Sequence, residues 1–506
     1  MTTGHPVSTG HPVSTGHSVS TVFDTIVIGA GSSGCVVAAR TAAAGKQVLL
    51  LEAGPDYRAD ELPDELRTLS LPVTWPHDWR DQVTSIRDRG LKYMRGRVTG
   101  GSSATNGSVA LRAEPPDFDS WPRGWQWADM LPYFCRIERD LDFGDRPWHG
   151  NDGPIPVVRW PRSTWSAMQS AYHDACVAVG FPACADHNEP NTSGIGAIPM
   201  NRVQRLRQSN LLVYLEPARA NSNLVVRGEA HVRRIMIEKK RAVGVELADG
   251  EQLRARDVVL CAGVVQNPLL LWRSGIGPAA RVQSIGVESI VDLPQVGFNV
   301  TDHLVVSTYA PIDADSLANT VHSIQTILRL SSTDSHRAHD LQLTPFGRRN
   351  EHGQAELVQT VALQLPNGAG TITPTSADPA TPPLISWPFA ADADNVRRLR
   401  EGWRMSLEIA KATGLVTDSA SVDADLAMAD DDLNELIARD HTAFYHGVGS
   451  CRMGVDPSSS VVDQQCDVWN IGGLRIIDAS VAPAVPRANT HLLATAIAER
   501  ALDLNI

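Results

Sequence analysis

The sequence predicts an α/β protein that is organised around a Rossmann-type dinucleotide-binding unit and continues into a second layer of strands and helices. Three observations predict this class. Residues 24–54 read as strand, glycine turn, helix and strand; residues 224–262 read as alternating strands; and residues 370–413 read as two strands followed by a long helix. Strands and helices that follow one another in this way are typical of sheets covered by helices.

The first unit is DTIVIGAGSSGCVVAARTAAAGKQVLLLEAG, which runs from residue 24 to residue 54. Its apolar, β-branched start over residues 24–28 is typical of a strand buried on both faces of a parallel sheet. Gly29, Gly31 and Gly34 follow with the spacing G-x-G-x-x-G. The first glycine permits a tight turn, the second lets a pyrophosphate approach the backbone, and the third lets the helix lie close to the strand.

The helix after the glycines and the strand after that helix complete the motif. We expect the helix to begin at residues 32–33, where its unpaired N–H groups face the phosphates. The next strand is expected over Gln47–Leu51, with Glu52 at its end. A carboxylate about 20 residues beyond the glycines accepts hydrogen bonds from ribose hydroxyls and repels a 2′-phosphate. The motif therefore predicts a dinucleotide site, and by itself it leaves FAD and NAD open.

Length and charge restrict the class of protein. A chain of 506 residues can bury a large core and is expected to form several domains. Its composition, 42% hydrophobic and 20% charged, is ordinary for a globular protein. The formal net charge of -12 argues against a nucleic-acid surface and is compatible with a cationic or neutral substrate.

The cysteines and the N-terminus bear on the compartment. Seven cysteines without C-x-x-C spacing suit free thiols in a reducing compartment better than disulfides or a zinc site. The sequence has no run of 18 or more apolar residues, so we expect no membrane span. Residues 1–21 repeat TGHPVS, TGHPVS and TGHSVS without the pattern of a signal peptide. We interpret them as a flexible leader rather than a metal-binding repeat, and we predict a cytoplasmic protein.

A second informative stretch is GRVTGGSSATNGSVALR, at residues 96–112. Such a run of small residues makes a poor helix or strand and suits backbone packed against a flat ligand. Asn106 offers two donors and an acceptor, which suits the polar edge of a ring. This stretch therefore predicts further contacts to the ligand of the nucleotide motif.

The rest of the chain predicts further elements. Trp121, Trp125 and Trp127 precede an amphipathic helical pattern, MLPYFCRIER, and we interpret these tryptophans as core residues. Further helices are expected within residues 166–179, 267–278 and 392–413, and further strands within residues 224–226, 231–263 and 370–387. Residues 310–360 are polar and show no clear period, so no element is predicted there.

Three C-terminal segments carry the remaining signal: YHGVGSCRMG at 445–454, GGLRIIDASVAP at 472–483 and RANTHLLATAIAERALDL at 487–504. Together with the dinucleotide motif, GRVTGGSSATNGS, DVVLCAGVVQNPLLLWRSGIGP and VGFNVTDHL, they resemble the glucose–methanol–choline oxidoreductases, a family of FAD-dependent enzymes. The matches follow the family order across almost the whole chain. The resemblance implies FAD rather than NAD.

The resemblance also implies the domain organisation. It predicts an α/β (overall α+β) protein with a Rossmann-type FAD-binding domain and a discontinuous substrate-binding domain built on an antiparallel sheet with helices. The expected segments are a leader over 1–21, FAD-binding segments over 22–155, 201–305 and 454–506, and substrate-domain segments over 156–200 and 306–453.

The positions expected to bind FAD lie in the matching motifs: Gly29, Gly31, Ser33, Gly34, Glu52 and Ala53, then Arg97, Gly100, Ser103, Asn106, Gly107 and Ser108, then Val232, Asp478, Ala479, Asn489 and Thr490. By the resemblance, the backbone of Val232 contacts adenine, and Asn489 and Thr490 contact the isoalloxazine. Some members attach FAD to a histidine, but Thr105 stands at that position here. We therefore predict non-covalent FAD.

The resemblance assigns the chemistry to two histidines. His446, in YHGVG, matches the active-site base, and His491 matches a second polar residue, which is His or Asn in different members. Oxidising an alcohol removes a hydride, which flavin N5 takes, and a hydroxyl proton. A neutral imidazole within hydrogen-bond reach takes that proton as alkoxide character develops.

The predicted activity is therefore the FAD-dependent oxidation of an alcohol to a carbonyl, by an oxidase or a dehydrogenase. Two alternatives stay open: a lyase of the hydroxynitrile lyase type that uses FAD structurally, and a non-catalytic flavin-binding protein. The expected partners are a small-molecule alcohol and oxygen or another electron acceptor. The acidic charge favours a polar, sugar-like or natural-product alcohol.

Overall fold

The computed structural model describes residues 22–69, 75–85, 90–318 and 322–504. The leader predicted over residues 1–21 lies outside these ranges. Within them, two large hydrophobic cores form around two different sheets, which confirms the α/β class. None of the helices in these ranges is long and apolar enough to cross a membrane.

A seven-stranded sheet with a parallel centre forms the first core. Phe23–Ile28 pairs in parallel with Val48–Leu51 on one side and with Gln252–Leu260 on the other. The order across the sheet is Leu224–Arg227, Val48–Leu51, Phe23–Ile28, Gln252–Leu260, Arg241–Leu247 and Val232–Glu238, and Leu474–Ile476 pairs with Gln252–Leu260. The predicted nucleotide unit and the antiparallel strands that return to it are both confirmed.

The helix Ser32–Ala43 follows the glycine turn and packs against the late helix Thr490–Asp503. It lies unusually close to the first strand. A Cβ atom at Gly34 would overlap the carbonyl oxygen of Gly29 at 1.8 Å. This distance confirms that the third glycine of the motif permits the close approach of helix and strand.

A six-stranded antiparallel sheet forms the second core. Its order is Thr442–Ala443, Leu304–Pro311, Ala355–Leu363, Leu341–Arg349, Thr326–Leu330 and Gly194–Ala197. The long helix Ala393–Ala412 covers one face, where a Cβ atom at Gly402 would lie 2.7 Å from Val361 Cγ1. Residues 310–360, for which the sequence predicts no element, therefore hold much of this sheet.

Burial on both faces explains why these strands escape prediction. Every residue of Thr326–Leu330 is buried, and so are most residues of Ala355–Leu363. A strand that is covered on both sides lacks the alternation of apolar and polar residues by which strands are recognised.

A four-stranded sheet joins distant parts of the chain. Its order is Thr371–Thr373, Leu384–Trp387, Asp81–Ser85 and Gly90–Tyr93. The first two strands are antiparallel and confirm the strand pair predicted within residues 370–387. Leu384–Trp387 pairs in parallel with Asp81–Ser85, so the segment after the nucleotide motif shares a sheet with the second half of the chain.

The predicted helices are confirmed with small shifts at their ends. They are Trp127–Ile137, Ala167–Ala178, Gly263–Arg273 and Ala393–Ala412. Ser166 and Asp392 cap two of them, because each side chain accepts a backbone N–H of the first turn. Further helical segments are Asp64–Arg67, Ser102–Thr105, the π-helical turn Leu211–Leu215, Glu216–Ala218, Ala279–Ser284, Ser419–Leu426 and Asp430–Asp440.

Short strand pairs and aromatic residues complete the framework. Glu138–Asp140 pairs with Ile155–Val157, Arg202–Val203 with Leu206–Arg207, and Ile276–Gly277 with Val291–Asp292. Trp121 and Trp125 are buried in the first core, and Trp127 packs against it. These tryptophans are core residues, as predicted.

Candidate active site

A cavity of about 460 Å³ is lined by residues from both large sheets and from the C-terminal segments. The predicted site residues that line it are Gly29, Gly31, Ser33, Glu52, Ala53, Ser103, Asn106, Gly107, Val232, His446, Asp478, Ala479, Asn489, Thr490 and His491. Residues from five separate parts of the chain thus share one cavity.

Four predicted positions lie behind the cavity wall and support it. Gly34 packs against the strand as described, and Arg97 Nη2 donates to the carbonyl oxygen of Ala53 at 3.1 Å. The backbone N–H of Gly100 donates to the carbonyl oxygen of Ala30 at 2.7 Å. The fourth position, Ser108, is buried, and its hydroxyl accepts a hydrogen bond from Arg207 Nη1 at 3.1 Å.

Two glycine loops meet at one end of the cavity. Gly29 has φ +93°, and a Cβ atom there would lie 2.6 Å from the carbonyl oxygen of Cys261. Gly101, in the small-residue stretch, has φ +50°, and its Cβ would lie 2.6 Å from the Cα atom of Gly31. Only glycine fits at these contacts. The cavity wall is therefore bare backbone at this point.

The N-terminus of the helix Ser32–Ala43 lies at the same end of the cavity. Its N-cap is Gly31, no side chain caps it, and no acidic residue lies in its first turn. Gly31, Ser32 and Ser33 line the cavity. The first N–H groups and the positive end of the helix dipole are therefore available to an anion such as a pyrophosphate.

Glu52 ends the second strand and is held in place by backbone donors. Its Oε2 accepts the N–H of Ala30 at 2.9 Å, and its Oε1 accepts the N–H of Gly54 at 3.0 Å. Burial raises the pKa of Glu52 to about 7, although these hydrogen bonds oppose the shift. A fixed carboxyl group at this place suits the hydroxyls of a ribose.

Asp478 is anchored in a similar way. Its Oδ2 accepts hydrogen bonds from the N–H of Gly263 at 2.7 Å and from Asn267 Nδ2 at 2.8 Å. Its Oδ1 accepts the N–H of Ser480 at 2.8 Å. Burial raises the pKa of Asp478, and these donors oppose the shift. Sequence reasoning missed Asn267, because a buried amide inside a helix carries no spacing signal.

His446 lies in the cavity wall, and both of its ring nitrogens have partners. Its Nδ1 is 3.0 Å from Nδ1 of His303, and its Nε2 is 2.9 Å from Nδ2 of Asn489. His303 is fully buried, and its Nε2 is 2.8 Å from the carbonyl oxygen of Pro486. The histidine pair, His303 and His446, is thus one hydrogen-bonded unit.

These contacts assign the tautomers of the histidine pair. The carbonyl of Pro486 only accepts, so His303 carries its proton on Nε2 and accepts at Nδ1. His446 therefore donates from Nδ1 to His303, and its Nε2 keeps a lone pair that accepts the N–H of Asn489. Neutral His446 thus presents a basic nitrogen at the cavity.

Burial lowers the pKa of His446 well below its usual value of 6.5, and the positive charge of the nearby Arg95 adds to the shift. Burial also lowers the pKa of His303 to about 4. Both rings are therefore neutral near pH 7. A base must be unprotonated before it can act, so this environment keeps His446 ready to accept a proton.

Asp302 holds the histidine pair through the backbone. Its Oδ1 accepts the N–H of His303 at 2.6 Å and that of His446 at 2.9 Å, while its Oδ2 accepts the hydroxyl of Tyr93 at 3.0 Å. Burial raises the pKa of Asp302 to about 6, against the effect of these donors. The carboxylate therefore fixes both histidine backbones relative to each other.

The structure corrects the predicted pairing of His446 with His491. His491 Nε2 donates to Asn210 Oδ1 at 3.0 Å, and the amide nitrogen of Asn210 is engaged by Thr495 Oγ1 at 3.0 Å and by the Ser32 carbonyl. The side chain beside His446 is instead Asn489, the N-cap of the last helix. Residues at the cap and in the first turn of a helix point in different directions, which separates the two.

Sequence reasoning missed several residues of this end of the cavity. Asp302 and His303 lie in VGFNVTDHL, a segment that resembles the family but to which no role was assigned. The adjacent Asp-His in a matching motif was the available signal. Tyr93 and Asn210 carry no such signal, because only the fold brings them to the site.

Comparison with known proteins places the chain in a family. Its residues 23–305 match the N-terminal domain of the GMC oxidoreductases, and residues 366–498 match the C-terminal domain. A relative from Rhodococcus erythropolis, described as an uncharacterized GMC-type oxidoreductase in the thcA 5′ region, is 35% identical over 490 residues, which cover 94% of this chain and 97% of the relative.

Two further comparisons add to this result. The 5-(hydroxymethyl)furfural oxidase of Methylovorus sp. (strain MP688) is 31% identical and aligns over 96% of this chain and 98% of its own. The crystal structure of pyridoxine 4-oxidase from Mesorbium loti superposes with a TM-score of 0.85 at 24% identity, over 96% of this chain and 99% of that one. The second comparison shows a shared fold.

The chain belongs to the GMC oxidoreductase family. It is an FAD-dependent oxidoreductase of the alcohol oxidase and dehydrogenase class, as the sequence predicted.

The residues around the cavity fit FAD. The uncapped helix N-terminus and the bare glycine backbone suit its pyrophosphate, and Glu52 suits its ribose. Two buried polar atoms of the lining residues, Asn489 Oδ1 and His491 Nδ1, have no hydrogen-bond partner in the described part of the chain. Buried polar atoms are rarely left unpaired, so these two are suited to a bound ligand.

Proposed function

We propose that His446 is the base, and Asn489 its partner, in the oxidation of a small neutral alcohol to a carbonyl compound. The observation that carries this proposal is the pair of contacts to the His446 ring: Nδ1 is 3.0 Å from His303 Nδ1, and Nε2 is 2.9 Å from Asn489 Nδ2, which gives a tautomer whose Nε2 lone pair accepts the Asn489 N–H at the cavity until substrate displaces it. A lone pair and an N–H donor side by side match a hydroxyl group, which donates one hydrogen bond and accepts another.

The pair acts on the hydroxyl as follows. An alcohol oxygen that displaces the hydrogen bond between Asn489 and His446 donates its O–H to Nε2 of His446 and accepts an N–H of Asn489. The proton passes to Nε2 as the C–H bond is broken, and the amide stabilises the negative charge that develops on oxygen. FAD, when bound, supplies the hydride acceptor.

His303 disperses the charge that results. Once protonated, the His446 ring is an imidazolium whose Nδ1–H donates to His303 Nδ1. A hydrogen bond to a charged group is worth more than one to a neutral group, so this contact stabilises the product of proton transfer. His303 therefore acts as a positioning residue for the base.

The charge of the cavity supports a neutral substrate. The carboxylates among the described residues that line the cavity are Glu52 and Asp478, and both are satisfied by backbone donors. A cationic alcohol would lose its hydration without gaining a free counter-charge. Our preference for a sugar-like or natural-product alcohol over an aryl alcohol stays a prediction. Within that class, the apolar part of the cavity wall favours alcohols with an apolar body.

Two further features remain part of this proposal. Thr105 offers a hydroxyl where attachment would need an imidazole, so we infer that FAD is held without a covalent bond. All seven cysteines lie in the described ranges and are free thiols, which supports a reducing compartment and hence the cytoplasm. Oxygen or another electron acceptor completes the turnover.

Anaerobic flavin absorbance tests the proposed function. We expect mixing with a neutral alcohol to bleach the oxidised flavin band, and admission of air to restore it at a rate that separates an oxidase from a dehydrogenase. Turnover without bleaching would favour the lyase, and bound flavin that no donor bleaches would favour the non-catalytic protein.

A further inference from the structure

One face of the six-stranded sheet contributes a polar stripe, Gln342, Thr344 and Thr360, to the cavity. Gln342 and Thr344 are two residues apart on Leu341–Arg349, so their side chains share a face. Thr360 lies opposite Thr344 in the register with the neighbouring strand. The stripe is therefore a continuous surface across two strands.

The opposite face of the sheet confirms this orientation. Thr308 Oγ1 is 2.8 Å from Ser406 Oγ, and Gln359 Nε2 donates to the carbonyl oxygen of Ser406 at 2.5 Å. Ser406 belongs to the helix Ala393–Ala412. Thr308 and Gln359 thus bond to the helix, whereas the polar stripe faces the cavity.

The polar stripe has hydrogen-bonding capacity to spare. Gln342 Nε2 donates to Thr344 Oγ1 at 3.2 Å, which leaves the hydroxyl proton of Thr344 and the amide oxygen of Gln342 without a hydrogen-bond partner among the described residues. Thr360 adds a second hydroxyl. Donors and acceptors are therefore both present, and none of the three residues is charged.

Apolar residues make up other parts of the cavity wall. They include Val109, Ile198, Ile324, Phe346 and Phe444. Phe444 packs against His446 with their ring centroids 4.8 Å apart, so the apolar wall reaches the base. Ligand sites of this kind hold an apolar body by its surface and fix its orientation with a few polar groups.

We propose that the polar stripe is a subsite for an uncharged polar group, such as a hydroxyl or carbonyl, that the substrate carries away from its reacting CH–OH. The substrate class is then a neutral bifunctional alcohol: a diol, or a hydroxy alcohol with an apolar chain or ring between its two polar groups. This inference rests on the proposed function, since it assumes that the reacting CH–OH group binds at His446 while the other polar group of the substrate binds at the polar stripe.

Because no residue of the polar stripe is charged, the stripe is unsuited to an ionised group of the substrate. A carboxylate or ammonium that binds there would be desolvated without a counter-charge from the stripe, which is costly. Arg95 also lines the cavity and would favour a carboxylate instead. A substrate with a carboxylate at its far end therefore has to be included in the test.

The experiment compares matched alcohols on the FAD-loaded enzyme. The pairs are 4-(hydroxymethyl)benzyl alcohol with 4-methylbenzyl alcohol, and α,ω-diols with 1-alkanols of the same chain length; 4-(hydroxymethyl)benzoate is the charged probe. For at least one pair we expect the diol to reduce the flavin with a second-order rate constant about 10-fold higher, as one well-placed hydrogen bond allows.

Two variants locate that preference. Thr344→Val keeps the shape of the side chain and removes its hydroxyl, and Gln342→Leu removes the amide. We expect each to bring the ratio of the diol to its monoalcohol close to 1, a loss of about 10-fold. Thr308→Val is the matched control, because it makes the same change in the same sheet on the face toward the helix, and it should leave the ratio unchanged.

Three results would overturn the proposal: no pair shows a preference in the wild type, the ratio survives in Thr344→Val and Gln342→Leu, or the benzoate outcompetes the diol. If no alcohol reduces the flavin, the proposed function fails separately. In that case, binding of the same pairs can be measured from the change that they cause in the flavin spectrum. Equal affinities of the diol and its monoalcohol would then overturn the proposed subsite.

Discussion

At the level of single residues, the site depends on a nitrogen that stays unprotonated and points to the right place. The Nδ1 proton of His446 is held by His303, and the proton of His303 is held in turn by the carbonyl of Pro486. A free imidazole exchanges between two tautomers, and only one of them leaves Nε2 basic. The chain of contacts selects that tautomer before any substrate binds.

His303→Ala tests this selection. The variant loses the acceptor for Nδ1–H, both in the neutral ring and in the imidazolium formed by proton transfer. We expect the rate constant of flavin reduction to fall by about 10- to 100-fold, the value of a hydrogen bond to a charged group. Stopped-flow absorbance of the anaerobic enzyme measures it.

Two controls make the result specific. The FAD content and melting temperature of His303→Ala show whether the fold survives, and His352→Ala removes an exposed histidine in the turn between Leu341–Arg349 and Ala355–Leu363. If His303→Ala reduces its flavin as fast as the wild type while binding FAD normally, His303 does not position the base.

The pH dependence of the same step follows from the pKa of His446. Burial lowers that pKa well below 6.5, so the base is protonated only in more acidic solution. We expect the rate constant of flavin reduction to stay level as the pH falls to 6.5 and to decline only below it. A decline that already begins above pH 7, measured by stopped flow across a buffer series, would contradict the assignment of His446.

Single residues also mark the limit of sequence reasoning. The position of His446 follows from its motif, and the structure places it in the cavity wall. The choice between Asn489 and His491 does not follow, because both lie in RANTHLL and only the start of the helix at Thr490 turns them apart. Tyr93 is beyond prediction from spacing, since it reaches Asp302 from 209 positions away.

At the level of elements, a buried ionic cluster fixes the segment that contains the strands Glu138–Asp140 and Ile155–Val157. His149 is at its centre: Nδ1 is 2.8 Å from Glu138 Oε2 and Nε2 is 2.8 Å from Asp186 Oδ2. The charged groups that face it are Glu138, Asp140 and Asp186, together with Arg112 and Arg159. With His149 protonated, three positive and three negative charges balance.

The stability of this cluster depends on pH. Burial alone would lower the pKa of His149, but hydrogen bonds to Asp186 and Glu138 outweigh it and raise the pKa to about 9. A folded-state pKa above the unfolded value of 6.5 stabilises the protein fully below 6.5, and the contribution is lost as the pH rises through 9. Its size is roughly 3 kcal/mol.

We therefore expect the melting temperature to fall as the pH rises from 6.5 to beyond 9, and His149→Gln to flatten much of that slope while lowering stability at the acidic end. Differential scanning calorimetry over a pH series measures both. His173→Gln is the control, because His173 belongs to a cluster with the exposed Asp174. Equal slopes in the wild type and His149→Gln would show that His149 is neutral in the folded protein.

Elements differ in how well the sequence predicts them. Glycine spacing, caps and helical period predict three elements: the strand Phe23–Ile28, the helix Ser32–Ala43 and the helix Ala393–Ala412. The strand Ala355–Leu363 is not predicted, because burial on both faces removes most of its alternation. The strand Leu341–Arg349 is not predicted either, because its alternation lasts only over Leu341–Thr344 before Pro345 and Gly347 interrupt the pattern. These unpredicted strands carry the polar stripe, so the sequence alone says little about the substrate.

At the level of the whole molecule, two cores share one cavity, and FAD is the ligand that would tie them together. At this scale we predict that FAD is bound without a covalent bond. Thr105 cannot form the bond that a histidine forms in some relatives, so we expect all of the flavin to appear in the supernatant after acid precipitation. Flavin that stays with the pellet, measured by absorbance, would show a covalent bond elsewhere in the chain.

The most direct test of the account is the anaerobic absorbance of the flavin when the wild type and His446→Ala are each mixed with neutral alcohols. We expect an alcohol to bleach the wild-type flavin, and His446→Ala to do so at a rate at least about 100-fold lower while it keeps its FAD. Equal rates in the two proteins would remove His446 as the base, and turnover without bleaching would contradict alcohol oxidation itself.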